Sequence, residues 1–176
     1  MNPEKPSALV EAVLFLENQP VDAATLGRIT GLDRKQLLEA IEQLRTRYED
    51  EAHGLEIVEL GGGYAFSAKA ALWEVLKPRY GKRNEARLSR AALETLSIVA
   101  YSQPVTRQEI ESIRGVSADG MIKLLLSRGL IREVGKKEAP GRPVQYGTTR
   151  EFLTTFRLAS IADLPKLDEV DEEKFE

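Results

Sequence analysis

The sequence matches itself at a fixed offset of 84 residues, and this repeat constrains the fold more than any other feature. Gln19-Pro20-Val21 falls on Gln103-Pro104-Val105, and Gly31 falls on Gly115 without a gap. Apolar positions and possible helix caps align as well: Leu26 with Ile110, Ile29 with Ile113, Leu32 with Val116, Asp22 with Thr106, and Asp33 with Ser117. The chain is therefore a tandem duplication of one structural unit.

The first copy opens with a predicted helix over residues 8–17. Leu9, Val13 and Leu16 are spaced to lie on one face of this helix. Pro20 marks its end, because proline disfavours helical backbone in the residue before it.

A helix-turn-helix follows in the first copy. Asp22 is the predicted N-cap of a short helix that ends near Thr30, and Gly31 stands where a left-handed C-terminal residue is favoured. Asp33 caps a third helix with Leu37, Leu38, Ile41 and Leu44 on its inner face. Two alternating segments around the glycines at 61–63 then predict a β-hairpin over 55–68.

The second copy predicts the same order of elements. Thr106 and Glu109 have the spacing of a capping box, and Ser117 is the predicted cap of the third helix. The predicted elements are helices over 91–101, 106–114 and 117–128, and strands over 131–134 and 144–148. Three helices with a tight turn and a hairpin indicate a winged helix. The predicted fold class is mainly α (α+β), with tandem winged helix-turn-helix domains.

Local composition predicts the domain boundaries. We expect an N-terminal winged-helix domain over 1–80, a basic linker over 81–90, a C-terminal winged-helix domain over 91–162, and an acidic, disordered tail over 163–176. Further helices over 70–78 and 150–158 close the two domains. Charge alternates along the chain: residues 1–76 hold 7 Lys/Arg against 13 Asp/Glu, whereas residues 77–90 hold 6 against 1.

Charge argues against duplex DNA as the partner of the first copy. Phosphate contacts supply most non-specific affinity for DNA, and the third helix, with a net charge of about +1, lies in an acidic domain. The second copy has a basic wing, whose cationic residues are Arg132, Lys136, Lys137 and Arg142. This wing is consistent with a solvated surface, an acidic protein partner or direct phosphate contact.

The first helix of each copy carries more apolar residues than one face needs. In the first copy this helix includes Leu14, Phe15 and Leu16, and in the second it includes Leu93, Leu96 and Tyr101. A helix that is apolar on more than one side is usually covered on more than one side. The covering surface is the other domain, a second copy of the chain or a partner helix.

No set of residues indicates catalysis, a metal or a cofactor. The chain has no cysteine, and its one histidine, His53, lies beside a turn. The glycines at 61–63 precede neither Lys-Ser/Thr nor a helix, so they are a hairpin turn and not a phosphate loop. No apolar run approaches the roughly 20 residues that cross a bilayer, and no signal peptide is recognised. We expect a cytosolic, non-enzymatic protein without cofactors or a small-molecule substrate.

The second copy resembles a known family. Ile98-Val99-Ala100-Tyr101, Ile113-Arg114-Gly115-Val116, Arg128-Gly129-Leu130-Ile131, and Gly141-Arg142-Pro143 with Tyr146-Gly147-Thr148-Thr149 look like segregation and condensation protein B. The resemblance covers about residues 7–167. It implies a nucleoid-associated homodimer, formed largely through the N-terminal domains, that binds the kleisin called segregation and condensation protein A. Through the kleisin it would reach the SMC ATPase of a bacterial condensin, touching DNA only indirectly or weakly.

Candidate contact residues follow from this resemblance. For the kleisin they are Tyr101, Leu124, Leu125, Ile131, Arg142 and Tyr146. For dimerisation they are Leu14, Phe15 and Leu38. The alternative function, from another class, is a winged-helix DNA-binding transcription regulator.

Overall fold

The structure is a computed structural model that describes residues 6–80 and 88–166. The chain folds into two compact units, and the boundary between Leu93 and Glu94 falls in the first turn of a helix over 90–102, which is described here with unit 2. Each unit combines three core helices with a three-stranded antiparallel sheet. The predicted fold class is confirmed. Of the predicted linker over 81–90, residues 81–87 lie outside the described residues.

Unit 1 follows the predicted order of elements. Its members are α1 (Pro6–Leu16), β1 (Val21–Asp22), α2 (Ala23–Thr30), α3 (Arg34–Glu49), β2 (Leu55–Leu60), β3 (Gly63–Ala68), a 3-10 turn (Ala70–Leu72) and α4 (Trp73–Tyr80). The Asp22 carboxylate accepts from Thr25 N–H at 2.8 Å, and Gly31 ends α2 at φ 72°. Asp33 and Gln36 form a full capping box at the start of α3. These local signals confirm the predicted helix-turn-helix.

The repeated Pro-Val pair has a structural role in both units. After the proline, one short strand pairs with the second strand of the wing, through Val21 opposite Tyr64 and Val105 opposite Tyr146. The next residue, Asp22 or Thr106, caps the following helix. The sheets therefore have the orders β1-β3-β2 and β4-β6-β5.

Unit 2 repeats this architecture. Its members are α5 (Arg90–Ser102), β4 (Val105–Thr106), α6 (Arg107–Arg114), α7 (Asp119–Ser127), β5 (Ile131–Lys136), β6 (Val144–Thr148), α8 (Arg150–Thr155) and a 3-10 turn (Ile161–Asp163). Leu96 and Val99 of α5, Ile110 of α6 and Phe152 of α8 are buried in this unit.

Two sequence predictions are corrected in the helices. The buried residues of α1 are Ser7, Val10, Val13 and Leu14, not the predicted face of Leu9, Val13 and Leu16. Ser117 does not cap α7, which begins after Ala118 without a side-chain cap. Instead, Ser117 Oγ and the Ala118 N–H both donate to Glu111 Oε1, at 3.3 Å and 3.1 Å.

The ordered part of unit 2 extends into the predicted tail. Asp163 accepts from the Ser160 N–H at 2.7 Å, and the Tyr101 hydroxyl donates to the Pro165 carbonyl oxygen at 2.7 Å. Residues 163–166 therefore belong to the folded unit, contrary to the prediction of disorder from 163. Residues 167–176 lie outside the described residues.

Candidate protein-interaction surfaces

The three dimer candidates of unit 1 differ in exposure. Leu14 is buried in the core, where α1 packs against α3. Phe15, the next residue, points away from that core and is 77% exposed. Leu38 lies on α3 and is also exposed, in contrast to the prediction that it joins the inner face. Phe15 and Leu38 are thus accessible to a partner, whereas Leu14 stabilises the unit itself.

The apolar kleisin candidates of unit 2 are largely internal. Leu125 of α7 and Ile131 of β5 are fully or almost fully buried, and Leu124 is half-buried. The helical period of α7 explains the burial of Leu125, since Leu125 and Ile122 lie three residues apart on the face that packs into the core. Leu125 and Ile131 present no surface to a partner in this conformation, so both are corrected to core residues.

Tyr101 lies at the C-terminal end of α5, beside an open groove of about 660 Å³. Its side chain is 38% exposed, and its hydroxyl is bound to Pro165. Gln103 also lines this groove. Its side-chain oxygen accepts hydrogen bonds from the Thr148 N–H and hydroxyl, at 2.8 Å and 3.1 Å. Ile161 and Leu164 also line this groove. A partner that reaches the Tyr101 hydroxyl must therefore compete with the Pro165 carbonyl oxygen.

Arg142 and Tyr146 lie on the wing. Arg142 is exposed at the hairpin tip, with a left-handed φ of 41° and its N–H bound to Ala139 O at 2.8 Å. Tyr146 is half-buried and lines a small groove with Arg107 and Asp119. Burial, reinforced by the charge of Glu133, raises the pKa of the Tyr146 phenol. Tyr101 and Tyr146 thus line two different grooves.

Two exposed apolar features escaped the sequence prediction of contact residues. Ile113 and Val116 flank the glycine in the turn of the second helix-turn-helix, and both are exposed. Val75 of α4 is 81% exposed, and Trp73 and Tyr80 of the same helix are exposed too. The repeat offered a signal for the first feature, because it aligns Ile113 with Ile29, which is also exposed.

Three of the four cationic residues of α3 lie beside carboxylates. Arg47 lies 2.9 Å from Glu11 of α1, and Arg45 lies 3.5 Å from Glu42. Lys35 approaches Glu39 at 3.9 Å. Glu11 also accepts from the Tyr48 hydroxyl at 2.6 Å, and this hydrogen bond raises the pKa of Tyr48. These carboxylates therefore partly cancel the positive electrostatic potential along α3.

No metal or membrane site is found within residues 6–80 and 88–166. This part of the chain contains no group of three or more His, Cys, Asp or Glu side chains able to hold a metal ion. It also contains no helix with the length and hydropathy to cross a membrane. His53 packs against Tyr48, with ring centroids 4.9 Å apart, so its position has a structural explanation.

A family model spans both units. The model for segregation and condensation complex subunit ScpB matches residues 8–167. The chain belongs to this family. Segregation and condensation protein B of Desulforamulus reducens is 41% identical over 166 residues, which cover 94% of this chain and 91% of that protein.

Solved ScpB structures are also similar to the chain. ScpB from Mycobacterium tuberculosis is 30% identical, with a TM-score of 0.42 over 90% of this chain and 98% of that one. A dimer of an ScpB N-terminal domain complexed with an ScpA peptide is 27% identical, with a TM-score of 0.41 over 46% of this chain and 94% of that one. Membership of the ScpB family rests on the sequence matches.

Proposed function

We propose that the protein is a non-catalytic, homodimeric subunit of a condensin-like SMC–kleisin complex. In this role it binds the kleisin, ScpA, and takes part in chromosome condensation and partition in the cytoplasm, at the nucleoid. The observation that carries the proposal is the ScpB family match, which covers residues 8–167 and so includes both winged-helix units. The SMC ATPase is reached through the kleisin.

Exposed apolar side chains in unit 1 support dimerisation. Phe15 of α1 and Leu38 of α3 are both accessible to a partner. Unit 1 is therefore the proposed dimerisation unit, with Phe15 and Leu38 as candidate contacts.

Unit 2 offers grooves in which a peptide can be bound. Tyr101 and Tyr146 each line one, and Arg142 adds an exposed cation near the hairpin tip. Aromatic residues and arginine are enriched among residues that dominate binding energy. We assign the kleisin contact to Tyr101, Tyr146 and Arg142, with the half-buried Leu124 of α7 as a further candidate.

The charge arrangement favours a protein partner over direct DNA reading. Three of the cations on α3 lie beside carboxylates, at 2.9 to 3.9 Å. On α7, Lys123 lies 2.7 Å from Asp119. A helix whose cations are matched by neighbouring acids attracts phosphate weakly. We therefore propose at most weak or indirect contact with DNA.

Co-elution and gel-shift measurements on the full chain test this function. We expect the purified chain to have the mass of a dimer, and to co-elute with the kleisin middle region through added salt. Arg142→Ala should weaken the kleisin complex about tenfold if the arginine is a binding hot spot, whereas Arg132→Ala, on the same wing, should not. Tight binding to a preferred duplex with a steep salt dependence, and no kleisin complex, would establish the transcription regulator instead.

A further inference from the structure

Residues 160–166 form an ordered segment after α8 that returns to the end of α5. The Ser160 N–H and hydroxyl both donate to the Asp163 carboxylate, at 2.7 Å and 3.1 Å, and so close the 3-10 turn. Leu164 follows with an extended backbone, at φ −61° and ψ 136°, as expected for the residue before a proline. We call residues 160–166 the strap.

The strap meets α5 in the way that an extended peptide meets an aromatic side chain. The Tyr101 hydroxyl donates to the Pro165 carbonyl oxygen at 2.7 Å. An extended segment with a proline leaves its backbone carbonyls free for a partner, and aromatic-lined grooves bind such segments. The polar atoms of Gln103 and Thr148 are engaged with each other, and the Gln103 amide also donates to Ala100 O at 3.1 Å. Among these groove residues, Tyr101 therefore supplies the hydrogen bond to the strap.

The strap is lightly held, and the groove beside it stays open. Within residues 161–166, Leu164 is half-buried and the others are exposed. The open groove of about 660 Å³ falls within the range of roughly 300–1,000 Å³ that is common for ligand sites. A segment with little buried apolar surface opens at low cost. The groove thus has the size and the hydrogen-bond donor of a peptide site, and the chain itself already uses that donor.

We propose that the groove beside Tyr101 binds an extended peptide with a Leu-Pro pair, and that the strap takes this place in the free chain as an internal ligand. The partner peptide presents its own carbonyl oxygen to the Tyr101 hydroxyl and displaces Leu164 and Pro165. The strap lowers the apparent affinity for the partner, because only chains with a displaced strap bind it. The inference rests on the proposed function, in which the partner is the kleisin, and adds the chemistry of the bound segment and a competition within the chain.

Thiol labelling follows the strap directly, because the chain contains no cysteine. In the free full-length protein, Leu164→Cys should label more slowly than Ala162→Cys, which lies at an exposed position of the same turn. Binding of the kleisin middle region should accelerate the labelling of Leu164→Cys by at least about fivefold, since the strap leaves the groove. Ala162→Cys is the matched control and should label at the same rate with and without the kleisin. Unchanged or slower labelling of Leu164→Cys in the complex would overturn the displacement.

Kleisin affinity gives a second measurement. The full-length double variant Ile161→Ser/Leu164→Ser should bind the kleisin middle region about tenfold more tightly than wild type, because its strap no longer occupies the groove. The urea midpoint should stay the same, since neither residue belongs to the buried core. Ala162→Ser is the matched control and should leave the affinity within about twofold of wild type.

A competing peptide tests the chemistry of the bound segment. A synthetic peptide of residues 158–166, added in excess to the double variant, should release the kleisin. The same peptide with Leu164→Ser and Pro165→Ser should not release it. Equal competition by both peptides would overturn the requirement for the Leu-Pro pair.

The outcomes separate this inference from the proposed function. Equal kleisin affinity of wild type and the double variant overturns the competition by the strap and leaves kleisin binding standing. Weaker binding by the double variant also overturns it, because the strap would then be part of the kleisin site. No complex with either chain overturns the proposed function, and with it the assignment of the groove to the kleisin.

Discussion

At the scale of single residues, Glu109 links the start of α6 to the wing of unit 2. One carboxylate oxygen accepts from the Thr106 N–H and hydroxyl, both at 2.8 Å, and thereby closes the capping box of α6. The other accepts from the ammonium group of Lys137 in the wing. The Lys137 hydrogen bond, followed by those from Thr106, lowers the pKa of Glu109 from 4.5 to about 2. The helix start and the wing are therefore joined by one ionised side chain.

Glu109→Gln should remove a pH-dependent part of the stability. A carboxyl group whose pKa is lower in the folded state stabilises it above the unfolded pKa, and this contribution is lost as the pH falls from about 4.5 towards 2. The ion pair is more than a third exposed, so screening limits the loss at pH 7 to about 1 kcal/mol. Urea unfolding of wild type and variant at several pH values measures the difference, which should vanish near pH 2.

The matched control is Glu138→Gln, because Glu138 is exposed and directly follows Lys137 in the wing loop. It should change the free energy of unfolding by less than about 0.5 kcal/mol at pH 7. A Glu109→Gln curve that runs parallel to wild type down to pH 2 would show that the carboxylate does not carry this pH dependence.

Helix caps were predictable from sequence where the contact is local. Asp22, Asp33 and Thr106 cap the expected helices because each side chain bonds a backbone N–H three residues ahead. Ser117 failed because Glu111, six residues earlier, accepts both from its hydroxyl and from the following N–H. The sequence shows that Ser117 is able to cap a helix, but it does not show that the Ser117 hydroxyl hydrogen-bonds to Glu111 instead.

At the scale of elements, the tight turn of each helix-turn-helix depends on a left-handed glycine. Gly31 and Gly115 have φ values of 72° and 69°, and each N–H returns to the carbonyl four residues earlier, at 2.8 Å and 2.9 Å. A Cβ at either position would meet no atom within 4 Å. Glycine is therefore required at these positions because of the positive φ, and not because neighbouring atoms leave no room for a side chain.

Gly31→Ala and Gly115→Ala should each destabilise the protein by about 1 kcal/mol, because an L-residue with a side chain is strained at positive φ. Urea unfolding followed by circular dichroism measures the loss. Gly120→Ala, inside α7 and with open space around its Cβ, should be neutral or stabilising by up to about 1 kcal/mol. Stabilisation by either turn substitution would contradict the conformational explanation.

Helix existence was more predictable than helix orientation. Proline, glycine and cap residues define where α1, α2 and α3 begin and end, and those signals are read locally. Which side of α1 faces inward was not predictable, because Leu9 and Leu16 are as apolar as Val10 and Leu14. The same ambiguity placed Leu125 and Ile131 among the interface candidates, since a core residue and a contact residue have the same side chains.

At the scale of the whole molecule, the duplication produces two hydrophobic cores. Leu26, Leu37 and Leu44 are fully buried in unit 1, and Leu96 and Ile110 have the same role in unit 2. A unit with its own core is able to unfold cooperatively by itself. We therefore expect two unfolding transitions, one for each unit. Substitutions at equivalent positions of the two copies should destabilise different units.

Trp73, the single tryptophan, distinguishes these transitions because it begins α4 in unit 1. Gly31→Ala should lower the urea midpoint seen by tryptophan fluorescence by roughly 0.5 M, given an m-value of about 2 kcal/mol/M and a loss of about 1 kcal/mol. Gly115→Ala should lower the urea midpoint of unit 2, seen by circular dichroism, and should leave the urea midpoint seen by tryptophan fluorescence unchanged. Equal fluorescence shifts for both variants, at the same protein concentration, would show that the units unfold as one and that the duplicated cores are thermodynamically coupled.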